Sequence, residues 1–283
     1  MVILEIIPNT MAKIHPTALL EGEINLADDV VIGPHCVLRG NITIGSGTTL
    51  LGNAYLTGSL SMGEGNVIYP FSSIGFAAQD VNYASDLYEP GIVIGNENIF
   101  RENITLHRAT QKSPTTIGNN NYFMTTAHVG HDCHIGNHVT MVTGSCLGGH
   151  ACLQDNVIIG GMSGAHQFVT IGKGAMLAGG FITTYDVLPY FMLTGTNTVG
   201  SINIIGMRRS GMKNNERTRR KEIFKLLYRS GKSLGKAIEE LKTQDDEIAR
   251  EYIDAIEQSK RGIVPLTTEN RSARRGTLVE ETA

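Results

Sequence analysis

The chain contains no tryptophan and only four cysteines in 283 residues. Those cysteines, Cys36, Cys133, Cys146 and Cys152, form no CxxC pair and no spacing of a disulfide framework. They are expected to be small buried residues in turns. No apolar run approaches the roughly 20 residues needed to span a bilayer, so stable membrane insertion is not expected. The apolar start Met1–Ile7 carries Glu5 and lacks a basic leader and a small-residue cleavage site, which argues against a secretion signal. Long runs of one charge are missing too. Charged residues make up 18% and the net charge is −3, the balance of a soluble protein of the cytoplasm or an organelle interior.

What is abundant is glycine, 33 residues of it, without the proline period of collagen. From Ile14 an apolar residue recurs at every sixth position, through Leu20, Leu26, Ile32 and onward to Ile74. The phase breaks, resumes at Ile94, Phe100 and Leu106, breaks again, and runs from Ile117 to Leu177. A period of six is neither the 2 of an ordinary strand nor the 3.6 of a helix. It is the signature of a parallel β-helix, in which each hexad supplies one short strand and one turn. Three hexads close a triangular coil, and coils stack at about 4.8 Å.

The expected organisation is therefore a mainly β catalytic domain over 12–205, with loops at 79–91 and 111–116 where the phase breaks. The first loop holds Asp80, Tyr83, Asp86 and Tyr88, a polar and aromatic mixture suited to covering a neighbouring surface. A small all-α domain follows over 206–265. Phe224, Leu227 and Tyr228 mark one helix face. Leu234, Ala237, Ile238 and Leu241 mark a second, capped by Ser233, and Ile248, Tyr252, Ala255 and Ile256 a third, opened by Asp245-Asp246. Asn203–Gly211 reads as a transition, the hexads fade over Thr183–Pro189, and 266–283 reads as a flexible tail.

The coil model aligns residues eighteen apart. Val129, Leu147 and Ala165 should lead hexads on one face of three successive coils. His131-Asp132, His150 and His166-Gln167 follow them and should form a ladder with rungs about 4.8 Å apart. An imidazole beside a carboxylate can take a proton from an attacking hydroxyl, with the carboxylate holding the tautomer. His131 is thus the candidate general base and Asp132 its support. No serine or cysteine sits in a nucleophile-elbow context, so direct attack by a substrate hydroxyl is the simpler chemistry. By the same reasoning His15, His35, His107 and His138 are read as structural. The string His128, His131, His134, His138 also suggests a metal, but its phases fall on different walls of the triangle. Ligation could then occur only across a subunit interface, as in a trimeric zinc hydratase of carbonic-anhydrase type.

The strings AHVGHDC (Ala127–Cys133), IGGMSGAHQF (Ile159–Phe168), RENITLHRAT (Arg101–Thr110) and LLYRSGKSL (Leu226–Leu234), set in this period, closely resemble the UDP-N-acetylglucosamine acyltransferase family of lipid A biosynthesis. The resemblance covers roughly Ile14 to Val264. It implies a homotrimer of left-handed parallel β-helices, with active sites between subunits. The implied reaction moves an (R)-3-hydroxyacyl group from acyl carrier protein to the 3-hydroxyl of UDP-N-acetylglucosamine, the first step of lipid A synthesis. No cofactor or metal is implied, because the carrier protein holds the acyl donor. By the resemblance His131 is the base and Asp132 supports it. Asp80, His128, His150, Gln167, Asn203 and Arg209 fall at substrate-binding positions, and Gly179 at the acyl-chain ruler. The ladder adds His166 to the substrate-binding candidates.

Four positions depart from the family pattern. Ile205 stands where a glutamate is frequent, Ser210 in place of a second arginine, and Asn82 in place of a lysine. The usual GNHA string reads Gly195-Thr196-Asn197-Thr198. These changes leave open another sugar nucleotide, including a 3-amino analogue, or acyl-CoA as donor. Chain length before Lys13 exceeds the family's usual start, so Met11 is an alternative initiator. Lysine and arginine crowd between Arg208 and Lys232, a surface suited to a diphosphate or an acidic carrier protein. Without interleaved aromatics that segment is not expected to bind nucleic acid.

Overall fold

The computed structural model describes residues 11–83 and 90–266. Its body is a parallel β-helix of about ten turns, followed by four helices. One face runs from the strand Lys13–Ile14 through Ile99–Phe100 to Met176–Leu177 and Phe191–Gly195. A second face carries Ser73–Phe76, Thr105–His107, His128–Val129, Cys146–Leu147, Gly164–Ala165 and Ile182–Thr183. The third carries Ile92–Ile94, Thr115–Ile117, His134–Ile135, Cys152–Leu153 and Thr170–Ile171.

The leading apolar residue of every hexad from Ile32 to Leu177 is buried. Burying this single column of Ile, Leu, Val, Met and Phe is the main driving force available to so narrow a coil. Phe100 and Phe123 stack in it with ring centroids 4.9 Å apart. Ile14 remains 45% exposed and Leu20 and Leu26 half-buried, because among the described residues the first coil has a neighbour on one side only.

In the lower coils the strands Leu19–Leu26, Val37–Ile44 and Tyr55–Met62 run unbroken across two faces. Glycine makes that bend possible. Gly22 and Gly40 have φ of 101° and 121°, and a Cβ on either would lie 2.3–2.4 Å from the carbonyl oxygen of the coil above.

Both breaks of the period leave the wall at one corner, between the second and third faces. The first excursion follows Phe76 and returns at Ile92, which pairs with Leu60. The second follows His107 and returns at Thr115. The expected loop 111–116 is therefore displaced to 108–114, since Thr115 and Thr116 pair with Ile92 and Val93. Asp86 and Tyr88 lie outside the described residues, as does the tail from 267 onward and the start before Met11.

The last coil is irregular: Met192 and Leu193 pair with Met176 and Leu177, sixteen residues on, which takes them out of phase with the hexads. Two further expectations are revised. The transition after Asn203 is a helix, α1 (Ile204–Arg209), with Asn203 as its cap, so helical structure begins two residues before 206. Cys146 and Cys152 are not turn residues; they are outward positions of strands, Cys146 exposed, while Cys36 and Cys133 are buried.

The remaining helices are α2 (Asn214–Arg229), α3 (Leu234–Lys242) and α4 (Glu247–Glu257). Ser233 and Asp246 cap α3 and α4 through their side-chain oxygens, satisfying otherwise orphaned backbone N–H groups. Phe191 of the last coil is enclosed by Phe224, Tyr228 and Tyr252 at centroid distances of 5.4–5.7 Å. The Tyr252 hydroxyl donates to the Pro189 carbonyl at 2.9 Å, tying α4 to the coil. Among the described residues no helix is long and apolar enough to cross a membrane.

Phe123→Ala removes one of the two stacked rings from a core that cannot collapse around the hole, since backbone stacking fixes its width. A loss of about 3–5 kcal/mol in unfolding free energy is expected, measured by urea denaturation. A loss below about 1 kcal/mol would contradict a rigid core.

Candidate active site

The corner that carries both excursions continues upward as the corner that carries the histidines. Val129 pairs with Leu147 and Leu147 with Ala165, so the ladder is in register. Asp132, His150 and Phe168 occupy equivalent corner positions in successive coils, all with φ near +60°. L-residues rarely adopt that conformation, and its persistence reflects the ladder of backbone hydrogen bonds that clamps each corner.

Asp132 is 4% exposed and surrounded by donors. Its Oδ2 accepts from His131 Nδ1 at 2.6 Å and from the Thr110 hydroxyl at 2.7 Å. Its Oδ1 accepts from the backbone N–H of Thr110 and Gln111 at 3.0 and 2.9 Å. The backbone N–H of Asp132 donates to Thr115 Oγ1 at 2.9 Å. The second excursion therefore builds a cradle for this carboxylate. Burial pushes the Asp132 carboxyl up, but the hydrogen bonds from His131, Thr110 and Gln111 outweigh it and hold it below the usual carboxylate range. A carboxylate held ionised makes His131 Nδ1 the donor, which leaves the Nε2 lone pair free to act as a base.

A small cavity of about 170 Å³ is lined by His107, His128, His131, Gln79 and Gln167, with the backbone of Gly148 and Gly149. Gly149 is required there: a Cβ would lie 2.6 Å from His131 Nε2. His128 Nδ1 pairs with Thr105 Oγ1 at 2.7 Å. Burial pushes the His128 imidazole below the ordinary histidine value, helped by its neighbours His107 and His131. His107 is also lowered, first by burial, against a raising contact from the Ala77 carbonyl.

His150 lies beside this group. Its Nε2 is 3.7 Å from Asp132 Oδ2, its ring meets His131 edge-on at 5.2 Å, and Phe168 stacks on it at 4.4 Å. His166 is not drawn in: it is exposed, and its Nδ1 lies 3.5 Å from the Gln167 carbonyl. Asp80 is exposed and accepts from the Asn82 N–H at 2.9 Å, while its neighbour Gln79 reaches the cavity.

Asn203 and Arg209 line a different cavity, of about 470 Å³, together with Ile205 and Ser210 and outward residues of the first face such as Met176 and Met192. Asn203 is buried; its side chain accepts from the Gly206 N–H and donates to the Gly174 carbonyl, both at 2.9 Å. Gly179 sits exposed on the corner between the first and second faces, where a Cβ would stand 3.3 Å from the Gly161 carbonyl oxygen. One chain thus brings His128, His131, Asp132, His150 and Gln167 together, but not Asn203, Arg209 or Gly179.

Sequence reasoning set aside His107 and did not single out Gln79, Thr110 or Gln111. The available signal was topological: the two period breaks fall one and two coils ahead of His131 on its own corner. As for a metal, the compatible trio among the described residues is His131, Asp132 and His150, with ligand atoms within 4.8 Å of one another. It is not the string His128, His134, which lies on two faces. A zinc ion bonding at about 2.0–2.1 Å would have to displace the His131–Asp132 hydrogen bond.

A family profile described as UDP N-acetylglucosamine O-acyltransferase, domain 2, matches residues 186–264. An acyl-[acyl-carrier-protein]–UDP-N-acetylglucosamine O-acyltransferase of Paraburkholderia phymatum is 42% identical over 263 residues, covering 90% of this chain and all of that protein. The same-named protein of Ectopseudomonas mendocina is 45% identical, covering 89% and 99%. Among solved structures, the Francisella novicida UDP-N-acetylglucosamine acyltransferase superposes with a TM-score of 0.85 at 35% identity, covering 92% of this chain and 96% of its own.

Buried neutral histidines make stability pH-dependent. His107 and His128 have folded pKa values below the ordinary 6.5, so the unfolded chain binds more protons at acid pH. Stability is then full above about pH 6.5 and falls as pH drops through the lowered values. The loss of unfolding free energy between about pH 7.5 and 5 should be smaller in a His107→Gln, His128→Gln double variant than in the parent. Equal slopes in the two would contradict this.

Proposed function

Because the chain belongs to the UDP-N-acetylglucosamine O-acyltransferase family, we propose that it transfers an (R)-3-hydroxyacyl group from acyl carrier protein to the 3-hydroxyl of UDP-N-acetylglucosamine, opening lipid A synthesis in the cytoplasm. The observation that carries the mechanism is the His131–Asp132 pair at the edge of a small histidine-lined cavity. His131 Nε2 takes the proton of the sugar 3-hydroxyl as its oxygen attacks the thioester carbonyl carbon. A carbon–oxygen bond forms and the carbonyl becomes a tetrahedral oxyanion. On collapse the carbon–sulfur bond breaks, and the imidazolium returns the proton to the departing thiolate. Asp132 remains ionised throughout and stabilises the imidazolium. No cofactor is needed, since the carrier thioester is itself the activated donor. Gln167, His128 and His150 contribute substrate contacts beside the base.

The separation of the two cavities supports a homotrimer. Asn203 and Arg209 stand by the first face and His131 by the second, so one chain's base can meet another chain's arginine across an interface. Gly179 on the intervening corner is placed to limit acyl length. In the basic segment, Arg219 pairs with Asp246, Arg220 with Glu251 and Lys232 with Glu240. Arg208, Arg209, Lys213, Lys221 and Lys225 have no ion-pair partner among the described residues and form the face offered to the diphosphate and the acidic carrier protein.

His131→Ala should lower kcat by about 10²–10⁴ with assembly unchanged. Mass spectrometry of products from a mixed acyl-carrier-protein pool reads the reaction; full turnover by the variant, or transfer from acyl-CoA alone, would overturn the assignment. Mixing refolded His131→Ala and Arg209→Ala chains one to one should restore up to about a quarter of parental activity, because random trimers contain interfaces with both residues intact. No recovery would place both residues in one chain's site.

A further inference from the structure

We propose that His107 positions the acceptor: its Nε2 accepts a hydrogen bond from the donor group next to the reacting hydroxyl, so that the sugar is held by two histidines at once. This rests on the reading of the cavity as a sugar-nucleotide acyltransfer site.

His107 ends the strand Thr105–His107, and the pairing register shifts between Leu106 and His107, where His107 falls opposite Phe76. A bulge of this kind re-aims a side chain. Here the ring turns to the cavity wall beside His128, with centroids 5.4 Å apart. His107 Nδ1 lies 2.5 Å from the Ala77 carbonyl oxygen. A carbonyl can only accept, so Nδ1 carries the proton and the neutral ring presents Nε2 as an acceptor. Burial, His131 and Arg108 all disfavour the charged form that would turn that nitrogen into a donor. His107 as a residue is 7% exposed, and Nε2 has no hydrogen-bond partner among the described residues. Nε2 opens to the cavity rather than being sealed in the core, so a ligand donor can take the place of water on it.

The backbone makes this placement stiff. The Thr115 hydroxyl donates to the His107 carbonyl at 3.0 Å and accepts from the Asp132 N–H at 2.9 Å. One hydroxyl thereby fixes His107 relative to the cradle of the base. The cavity then offers two set acceptors, His107 Nε2 and His131 Nε2. A ligand with adjacent donors on one ring matches that pair. In a 2-acetamido sugar the 3-hydroxyl is flanked by a 4-hydroxyl and an amide N–H, and either can meet His107 while the 3-hydroxyl meets His131. That arrangement selects which hydroxyl is acylated.

The test compares two substitutions. His107→Asn keeps a donor for the Ala77 carbonyl and removes the distal acceptor; His107→Gln extends an amide oxygen toward the Nε2 position. His107→Asn should raise KM for UDP-N-acetylglucosamine about tenfold, the loss of one buried hydrogen bond. KM for the acyl carrier protein thioester should stay within about twofold, and the acid limb of the kcat/KM profile should not move. His107→Gln should recover most of the loss. Using UDP-sugars lacking the 4-hydroxyl or bearing an N-methylated amide, one of the two should cost the parent the same tenfold and the Asn variant nothing further. An unchanged sugar KM, or equal rises for both substrates with Gln no better than Asn, overturns the proposal. A parent chain that transfers no acyl group to any UDP-sugar overturns the functional reading and this inference with it.

Discussion

The structure depends on one constraint: each coil hydrogen-bonds to the next at one strand spacing. Residues eighteen apart in regular coils are therefore neighbours, as Val129, Leu147 and Ala165 show. Stacking does two jobs. It buries a single column of hexad-leading side chains, and it converts sequence period into spatial register on the outside. Any group placed at a corner is repeated in height, not in angle. This is why His131 and His150 meet although nineteen residues separate them.

Regular stacking alone would give a smooth wall. The chemistry comes from the places where the chain leaves it. Thr110 and Gln111 give Asp132 its donors; Ala77 anchors His107; Gln79 closes the cavity. Both departures occur on the corner that carries His131, in the two coils beneath it. The hydrogen-bonded pair His131–Asp132 is itself short-range, two adjacent residues in sequence. Its surroundings are not: after His131 itself, the donors that hold the Asp132 carboxyl low come from a loop twenty-one and twenty-two residues away.

Electrostatics here is a matter of keeping imidazoles neutral. His107, His128 and His150 are all lowered chiefly by burial, with mutual repulsion adding to it. Asp132 supplies a compensating negative charge, but it sits to one side, against His131. The cavity is thus lined by uncharged acceptors around one nitrogen able to take a proton. That suits attack by a neutral hydroxyl and would suit an anionic nucleophile poorly. Positive charge is placed elsewhere, at Arg208 and Arg209 in the last turn of α1, with Arg209 lining the second cavity.

The hexad period was sufficient by itself to determine the fold class, the inward column and the stacking of His131, Asp132 and His150, because in a parallel β-helix sequence distance is spatial distance. Helix caps at Ser233 and Asp246 were legible for the same reason, being local. What the period could not express is anything that breaks it. The sixteen-residue last coil, the early return at Thr115 and the cap of α1 at Asn203 all belong to irregular stretches. So do the donors around Asp132 and the bulge that turns His107 into the cavity. The separation of Arg209 from His131 onto different faces was equally hidden, since the sequence says which groups exist but not which wall a helix covers. Repetition is written in the chain; the departures from it acquire meaning only once the coils are stacked.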